Sequence, residues 1–336
     1  MDFSSYFEKN KLIMAPMSGI TSLPFRNLNR AFGCKFAFYE MLDVKSFYFS
    51  NRRTAEILRT DKKDRPLGLQ ILGSDIEFIK RALEKLNNFP VDSLDLNAAC
   101  PHKKAVSKNK GAALLKDVKQ LKSILKVMVS NSRKPVTVKI RIGFDNNKDA
   151  LKIALTCEDA GVKALFVHGR TQKQCYGPGI DYDAIRNIKK ALKIPVIASG
   201  DILTPELAQK MLQETGSDGV LVARGCLGNP WLFKNITDYL EKGNYDRPGE
   251  KEIRKTMLAH LDLSYKFYGA ERGITSFRKF YIWYTKGFYK VKHLRDKISM
   301  TKTKKQMQTL INDFYRSAIS RPKKRTANPR EGINLY

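Results

Sequence analysis

The chain has 336 residues, 42% of them apolar, and 62 Lys and Arg against 33 Asp and Glu, giving a formal net charge of +29 and a pI near 9.9. That length is too great for one small domain and suits a large domain with a smaller one beside it, while so large a positive excess points to a polyanionic partner, nucleic acid before anionic membrane. The five cysteines (Cys34, Cys100, Cys157, Cys175 and Cys226) are odd in number and form no C-x-x-C pair, which argues against a zinc site and a disulfide framework and for a reducing compartment.

The first segment, MDFSSYFEKNK, lacks the apolar region of a signal peptide, and no apolar run is long enough to span a bilayer, so a cytoplasmic chain is expected. Apolar runs then recur along the chain. KLIMAPM (11–17), KFAFYEML (35–42) and PLGLQILG (66–73) come first, the last followed by a helical pattern over 74–86. SLDLNAAC (93–100) precedes a helical stretch over 111–129, and PVTVKIRIG (135–143) precedes one over 149–161. ALFVHGR (164–170), PVIASGD (195–201) and GVLVARG (219–225) alternate with helical patterns over 181–192 and 204–216. Continuous apolar strands imply burial on both faces, hence a parallel sheet covered by helices. Eight of them, each followed by a helix, predict a TIM (β/α)8 barrel, with a doubly wound open sheet as the alternative.

KGNYDRPGE (242–250) marks a break in composition, and the pattern beyond it is helical, basic and rich in aromatics. From Tyr245 onward there are 22 Lys and Arg against 8 Asp and Glu, a net +14. The expected organisation is a barrel over 1–243, a smaller all-α domain over 244–320 and a basic mobile tail over 321–336.

The C-terminal strand ends, where a barrel of this kind carries its site, hold polar groups that a core would not choose. Lys139 lies inside VTVKIRI, where a charge is costly without a partner, so an anionic or electron-rich ligand accounts for it better than a satisfied core lysine. Gln70 and Asn97 taken singly read as backbone hydrogen-bonders, and His168 alone as structural; followed by Gly169 and Arg170 at a strand end, His168 reads as functional. The Ser199-Gly200-Asp201 and Ala223-Arg224-Gly225 ends offer backbone N–H groups suited to a phosphate. Cys100 precedes Pro101 and a lysine-bearing loop. Its thiol is either a core group, a proton donor or, if the lysines lower its pKa, a nucleophile.

These segments carry a resemblance. MAPMSGITSLPFR (14–26), DLNAACPHKKAVSKNKGAALL (95–115), VKIRIG (138–143), HGRTQKQCYGPGIDYDAI (168–185), ASGDI (198–202), ARGCLGNPWLF (223–233) and FRKFYIWYTKGF (277–288) resemble the tRNA-dihydrouridine synthase family in order along the chain. The Asn-x-x-Cys-Pro block is the most specific of them. The resemblance implies an FMN-bearing TIM barrel and a helical domain that grips tRNA. NADPH or NADH would serve as reductant, with hydride passing to C6 of a uracil and a proton from Cys100 to C5. Carried over by position, Pro16 and Met17 would pack near the flavin. Gln70, Lys139 and His168 would contact its polar atoms, and Gly200, Asp201, Ala223, Arg224 and Gly225 would hold its phosphate. Asn97, Cys100 and Arg141 would face the uracil, joined on the substrate side by Arg170. Lys103, Lys104, Lys108 and Lys110 are candidates for tRNA phosphates, as are Arg278 and Lys279 of the helical domain.

Three positions depart from the family pattern: Ala99 stands in place of a common glycine, Phe280 in place of a histidine and Ser199 in place of an asparagine. The resemblance implies no metal and no membrane, and a monomer is expected. Two other readings are a flavin barrel acting on a free pyrimidine or enone, and a non-catalytic RNA-binding protein; the first has no need of the basic helical domain, and the second predicts a colourless protein.

Overall fold

Each of the apolar runs becomes a parallel strand in the computed structural model, which describes residues 2–49, 52–286 and 294–319. The strands are β1 (Leu12–Met14), β2 (Phe36–Phe38), β3 (Leu42–Asp43), β4 (Leu67–Leu72), β5 (Ser93–Ala98), β6 (Val136–Arg141), β7 (Leu165–His168), β8 (Val196–Ser199) and β9 (Gly219–Val222). They pair in the order β2-β1-β9-β8-β7-β6-β5-β4, and β2 also pairs with β4 (Ala37 opposite Leu67, Phe38 opposite Gly68). That last pairing closes an eight-stranded parallel barrel, so the TIM architecture holds and the open sheet does not.

Two expected elements divide. The run 35–42 splits into β2 and the short β3, which pairs only with β4. Between them the chain turns at Glu40, whose carboxylate accepts the Gly19 N–H at 2.5 Å. The helical stretch 111–129 splits into a 3-10 segment, Gly111–Lys116, and an α-helix, Val118–Asn131. Asp117 causes the break, because its side chain accepts the Gln120 N–H and so caps a new helix.

The barrel interior is layered. Ile13, Phe36, Phe38, Phe166, Ile197 and Leu221 form one apolar cluster with Phe3 and Phe7 of the helix Phe3–Lys9. Gly68 makes room for the Phe38 ring, which a Cβ there would approach to 2.4 Å. Because side chains alternate across a strand, the inward residues beyond this layer are Gln70, Asp95, Asn97, Lys139, Arg141, His168 and Ser199. The register places Gln70 opposite Asp95, Asn97 opposite Lys139 and Arg141 opposite His168. Local strand pattern thus delivers a polar layer at the C-terminal mouth.

The chain divides into two compact units. The first is Met1–Ser22, Cys34–Ile202 and Glu206–Ala223; the second is Leu23–Gly33, Leu203–Pro205 and Arg224–Tyr336. The tail expected over 321–336 lies outside the described residues. The second unit is helical, with Leu23–Ala31, Glu250–Tyr268, Ala270–Tyr284 and Lys304–Ile319 among its helices. Phe25 stacks on Phe280 at 5.4 Å, so the helix that follows β1 in the chain packs within this unit. His260 is fully buried against Phe280, with ring centroids 4.3 Å apart, and its Nδ1 lies 3.3 Å from the Tyr284 hydroxyl.

Burial pushes the His260 imidazole down to about 3. The unfolded chain therefore binds the extra proton below the ordinary value of 6.5, and stability is lost as pH falls from there towards 3. The expected loss is on the order of 1 kcal/mol per pH unit. The slope of Tm against pH across that window should flatten in His260→Phe, as read by thermal melts at several pH values. Among the described residues no helix is long and apolar enough to cross a membrane.

Candidate active site

The turn after β5 carries Cys100, and Asn97 holds it. The Asn97 Oδ1 accepts two backbone N–H groups, that of Ala99 at 3.0 Å and that of Cys100 at 2.8 Å. Its Nδ2 donates to Gln70 Oε1 at 2.7 Å and lies 3.1 Å from the Met41 sulfur. Gln70 Nε2 donates in turn to Asp95 Oδ2 at 2.7 Å, and the Thr137 hydroxyl donates to Asp95 Oδ1 at 2.6 Å. The polar atoms of Asn97 are thereby engaged within the protein. Gly111, with φ +64, comes so close that a Cβ would meet the Cys100 carbonyl at 2.8 Å, while the Ala112 N–H donates to that carbonyl. The glycine-alanine step downstream of the cysteine is thus part of the turn. Ala99 fits it without strain, because among the described residues the positive-φ positions do not include it.

Arg141 braces the other side. Its Nε donates to the Ala99 carbonyl, and its Nη1 to the carbonyls of Thr171 and Cys175, each at 2.8 Å. Its Nη2 makes no hydrogen bond among the described residues and keeps two donors in hand. The competing influences on the Cys100 thiol resolve in favour of burial, which raises its pKa above the ordinary value; the His102 N–H, Arg141 and Lys139 oppose it and do not prevail. The thiol is therefore protonated at neutral pH. The loop lysines play no part in this. Lys103, Lys104 and Lys108 are exposed, and Lys110 is buried in an ion pair with Asp43 at 2.5 Å, which removes it from the candidates for RNA phosphate.

Lys139 has neither an ion-pair nor a hydrogen-bond partner among the described residues. Burial, then repulsion from Arg141, lowers its amine to about 8. Asp95, fully buried, is raised by burial to about 7 against the pull of Thr137, Gln70 and Lys139. An amine in the barrel mouth that makes no hydrogen bond or ion pair among the described residues is a site for an electron-rich or anionic group.

The remaining strand ends complete the rim of the first unit. His168 Nδ1 lies 3.3 Å from the Ser199 hydroxyl. Arg170 is buried and grips Asp201 with two bonds, Nη2 to Oδ2 at 2.5 Å and Nη1 to Oδ1 at 3.3 Å, while its buried Nε has no partner. Asp201, at φ +50, follows Gly200 at φ +135, where a Cβ would strike Ile180 at 2.4 Å. Asp201 thus carries a neutralising partner, which lets an anion approach the turn. Pro16 and Met17 lie in a turn closed by Thr21, whose hydroxyl accepts the Met17 N–H at 3.1 Å. Ala223 follows β9, and Arg224 and Gly225 begin the second unit on a 3-10 turn. Also in that unit, Arg278 donates to the Thr301 carbonyl at 2.9 Å, and Lys279 lies over the Phe280 ring at 5.3 Å. Phe280 and Tyr281 are buried there, and no described cluster of His, Cys, Asp or Glu could hold a metal ion.

Sequence reasoning passed over Asp95 and Thr137. The available signal was a carboxylate inside the apolar run LDLN, two residues before Asn97 and so on the same face.

Residues 13–319 match the family model described as dihydrouridine synthase (Dus). The tRNA-dihydrouridine synthase B of Pseudomonas putida is 38% identical over 281 residues, covering 83% of each chain. That of Vibrio cholerae is 33% identical over 322 residues, covering 95% of this chain and all of its own. Among solved structures, a 2-naphthoyl-CoA reductase complex matches 68% of this chain and 50% of its own with a TM-score of 0.54 at 14% identity, a likeness of fold alone.

Proposed function

This chain belongs to the dihydrouridine synthase family and reduces uridine in tRNA to dihydrouridine; from that premise we propose that FMN occupies the barrel mouth and that Cys100 gives the proton to C5 of the base. When bound, the flavin supplies the hydride that reaches C6, with NADPH or NADH as the source of electrons.

The single observation that carries the reading is the half-buried Cys100 thiol, on a turn fixed by Asn97 and Arg141, close to the Lys139 amine, which makes no hydrogen bond or ion pair among the described residues. Lys139 and Gln70 would hold the polar edge of the flavin, with His168 on the strand next to that of Lys139. Pro16 and Met17 would line the ring. The Gly200–Asp201 turn and Ala223 would receive the phosphate, with Arg224 and Gly225 continuing the chain from Ala223, and Arg170 would hold Asp201 in place.

Arg141 would offer its unused Nη2 donors to a uracil carbonyl, while Asn97 sets the turn that aims the thiol. A general acid works best when its pKa lies near the working pH; burial moves the Cys100 thiol further above it, which costs driving force but keeps the proton on the thiol, available without an auxiliary base. Uridine in folded tRNA must leave its stack before either carbon is reachable, which calls for surface cations on phosphate. Exposed Lys103 and Lys104 on the loop after Cys100 would serve this, with Arg278 and Lys279 in the helical unit, whereas Arg170 is buried and spent on Asp201 and is not available to phosphate.

The test uses purified full-length protein with tRNA lacking dihydrouridine. A yellow preparation that forms dihydrouridine in tRNA with NADPH, and leaves free uridine untouched, is the expected outcome. A colourless protein would favour RNA binding without catalysis, and equal turnover of free uridine would favour a small-molecule reductase.

A further inference from the structure

Asp95 ends the hydrogen-bond chain that runs from the Cys100 turn through Asn97 and Gln70. The polarity of that chain is decided at its two ends. The N–H groups of Ala99 and Cys100 can only donate, so Asn97 must turn Oδ1 towards them and Nδ2 towards Gln70. Gln70 must then accept with Oε1, which leaves Nε2 for the far side. Only an acceptor can close the chain there, and the Asp95 carboxylate is that acceptor, its second oxygen held by the Thr137 hydroxyl.

A primary amide and its flipped form have nearly the same shape, so packing alone does not orient two amides in series. Donors fixed at the turn and an acceptor fixed at the far end do so together. Burying a carboxylate is costly, and a neutral residue would fill the same space more cheaply if filling space were its role.

We propose that Asp95 is a positioning residue for proton delivery: as the acceptor that anchors this chain, it orients Gln70 and Asn97 and so fixes the turn that carries the Cys100 thiol. The proposal rests on the reading of Cys100 as proton donor.

Two variants of the full-length, flavin-loaded protein test it. In Asp95→Asn the new amide can still accept from Gln70 with Oδ1 and donate to the Thr137 hydroxyl, so the polarity survives. In Asp95→Leu no acceptor remains. Two readouts are taken: the rate of Cys100 alkylation by iodoacetamide relative to exposed Cys175, followed by mass spectrometry, and the rate of dihydrouridine formation in tRNA.

Asp95→Leu should speed Cys100 alkylation by about fivefold as the turn loosens and slow dihydrouridine formation by at least about tenfold, and Asp95→Asn should return both to within about threefold of the parent. An unchanged alkylation ratio in Asp95→Leu overturns the proposal. So does an Asp95→Asn variant as impaired as Asp95→Leu, since charge rather than acceptance would then matter. If Asp95→Leu does not fold, Gln70→Met breaks the chain at its next link, and a parental alkylation ratio in that variant overturns the proposal equally. Should alkylation follow the expected pattern while Cys100→Ala still turns over tRNA at the parental rate, the anchoring role stands and the proton-donor reading fails.

Discussion

Cys100→Ala is expected to lose about 10²–10⁴-fold in dihydrouridine formation while keeping flavin content, tRNA affinity and the rate of flavin reduction by NADPH. The magnitude is that of a positioned general acid, and the side chain is small enough that the turn survives its loss. The turn depends on Asn97 Oδ1, Arg141 Nε and the Ala112 N–H, all of which bind backbone atoms rather than the thiol. Cys100→Ser should recover little, because a hydroxyl of similar size is a far weaker acid. Single-turnover reoxidation of reduced enzyme by tRNA separates the steps, and parental reoxidation in Cys100→Ala would remove the thiol from proton transfer.

The same experiment run against pH carries a sign. Burial raises the thiol, so the acid form persists through neutral pH. The rate should hold there and fall only as pH rises beyond the ordinary thiol range. A rate that rises through that range would mean that the thiolate, and hence nucleophilic attack, carries the reaction.

Lys139→Met has the second largest expected effect. Methionine keeps much of the volume and removes the charge, so the change falls on the ligand rather than on the packing. A hydrogen bond from a charged donor is worth roughly 1.5–3 kcal/mol, so flavin should bind about 10- to 100-fold more weakly. Loss of a positive charge beside the ring should also make the flavin harder to reduce, lowering its midpoint potential by about 30–60 mV. Flavin content after dialysis and a redox titration measure both. Parental values for the two would place the amine outside the flavin site. Asp95 would then serve as its counter-charge, since Asp95 and Lys139 pull each other's pKa towards the charged forms.

Much of this molecule is legible locally. Each barrel strand announces itself as an apolar run, because a strand buried on both faces needs no alternation. The polar residues at the run ends are equally visible: Gln70, Asn97, Lys139, Arg141 and His168 stand out because a core would reject them. A lone cysteine before proline, with no second thiol in a metal or redox spacing, already pointed to acid or nucleophile chemistry at Cys100.

What the sequence by itself determined, then, is the barrel, the polar rim and the candidate thiol, all set by patterns within a few residues. Only the tertiary structure decided how those groups are used, since that depends on partners far apart in the chain. Lys110 looks like its neighbours in the loop, yet it is spent on Asp43, 67 positions away. Asn97 reads as a group facing a base, yet its polar atoms are committed to the Cys100 turn and to Gln70. The helix Leu23–Ala31 sits in the chain between two barrel strands and packs with the helical unit. The Cys100 thiol drew two opposite expectations from its neighbours in sequence; burial settled the matter, and burial is a property of the whole fold rather than of any segment.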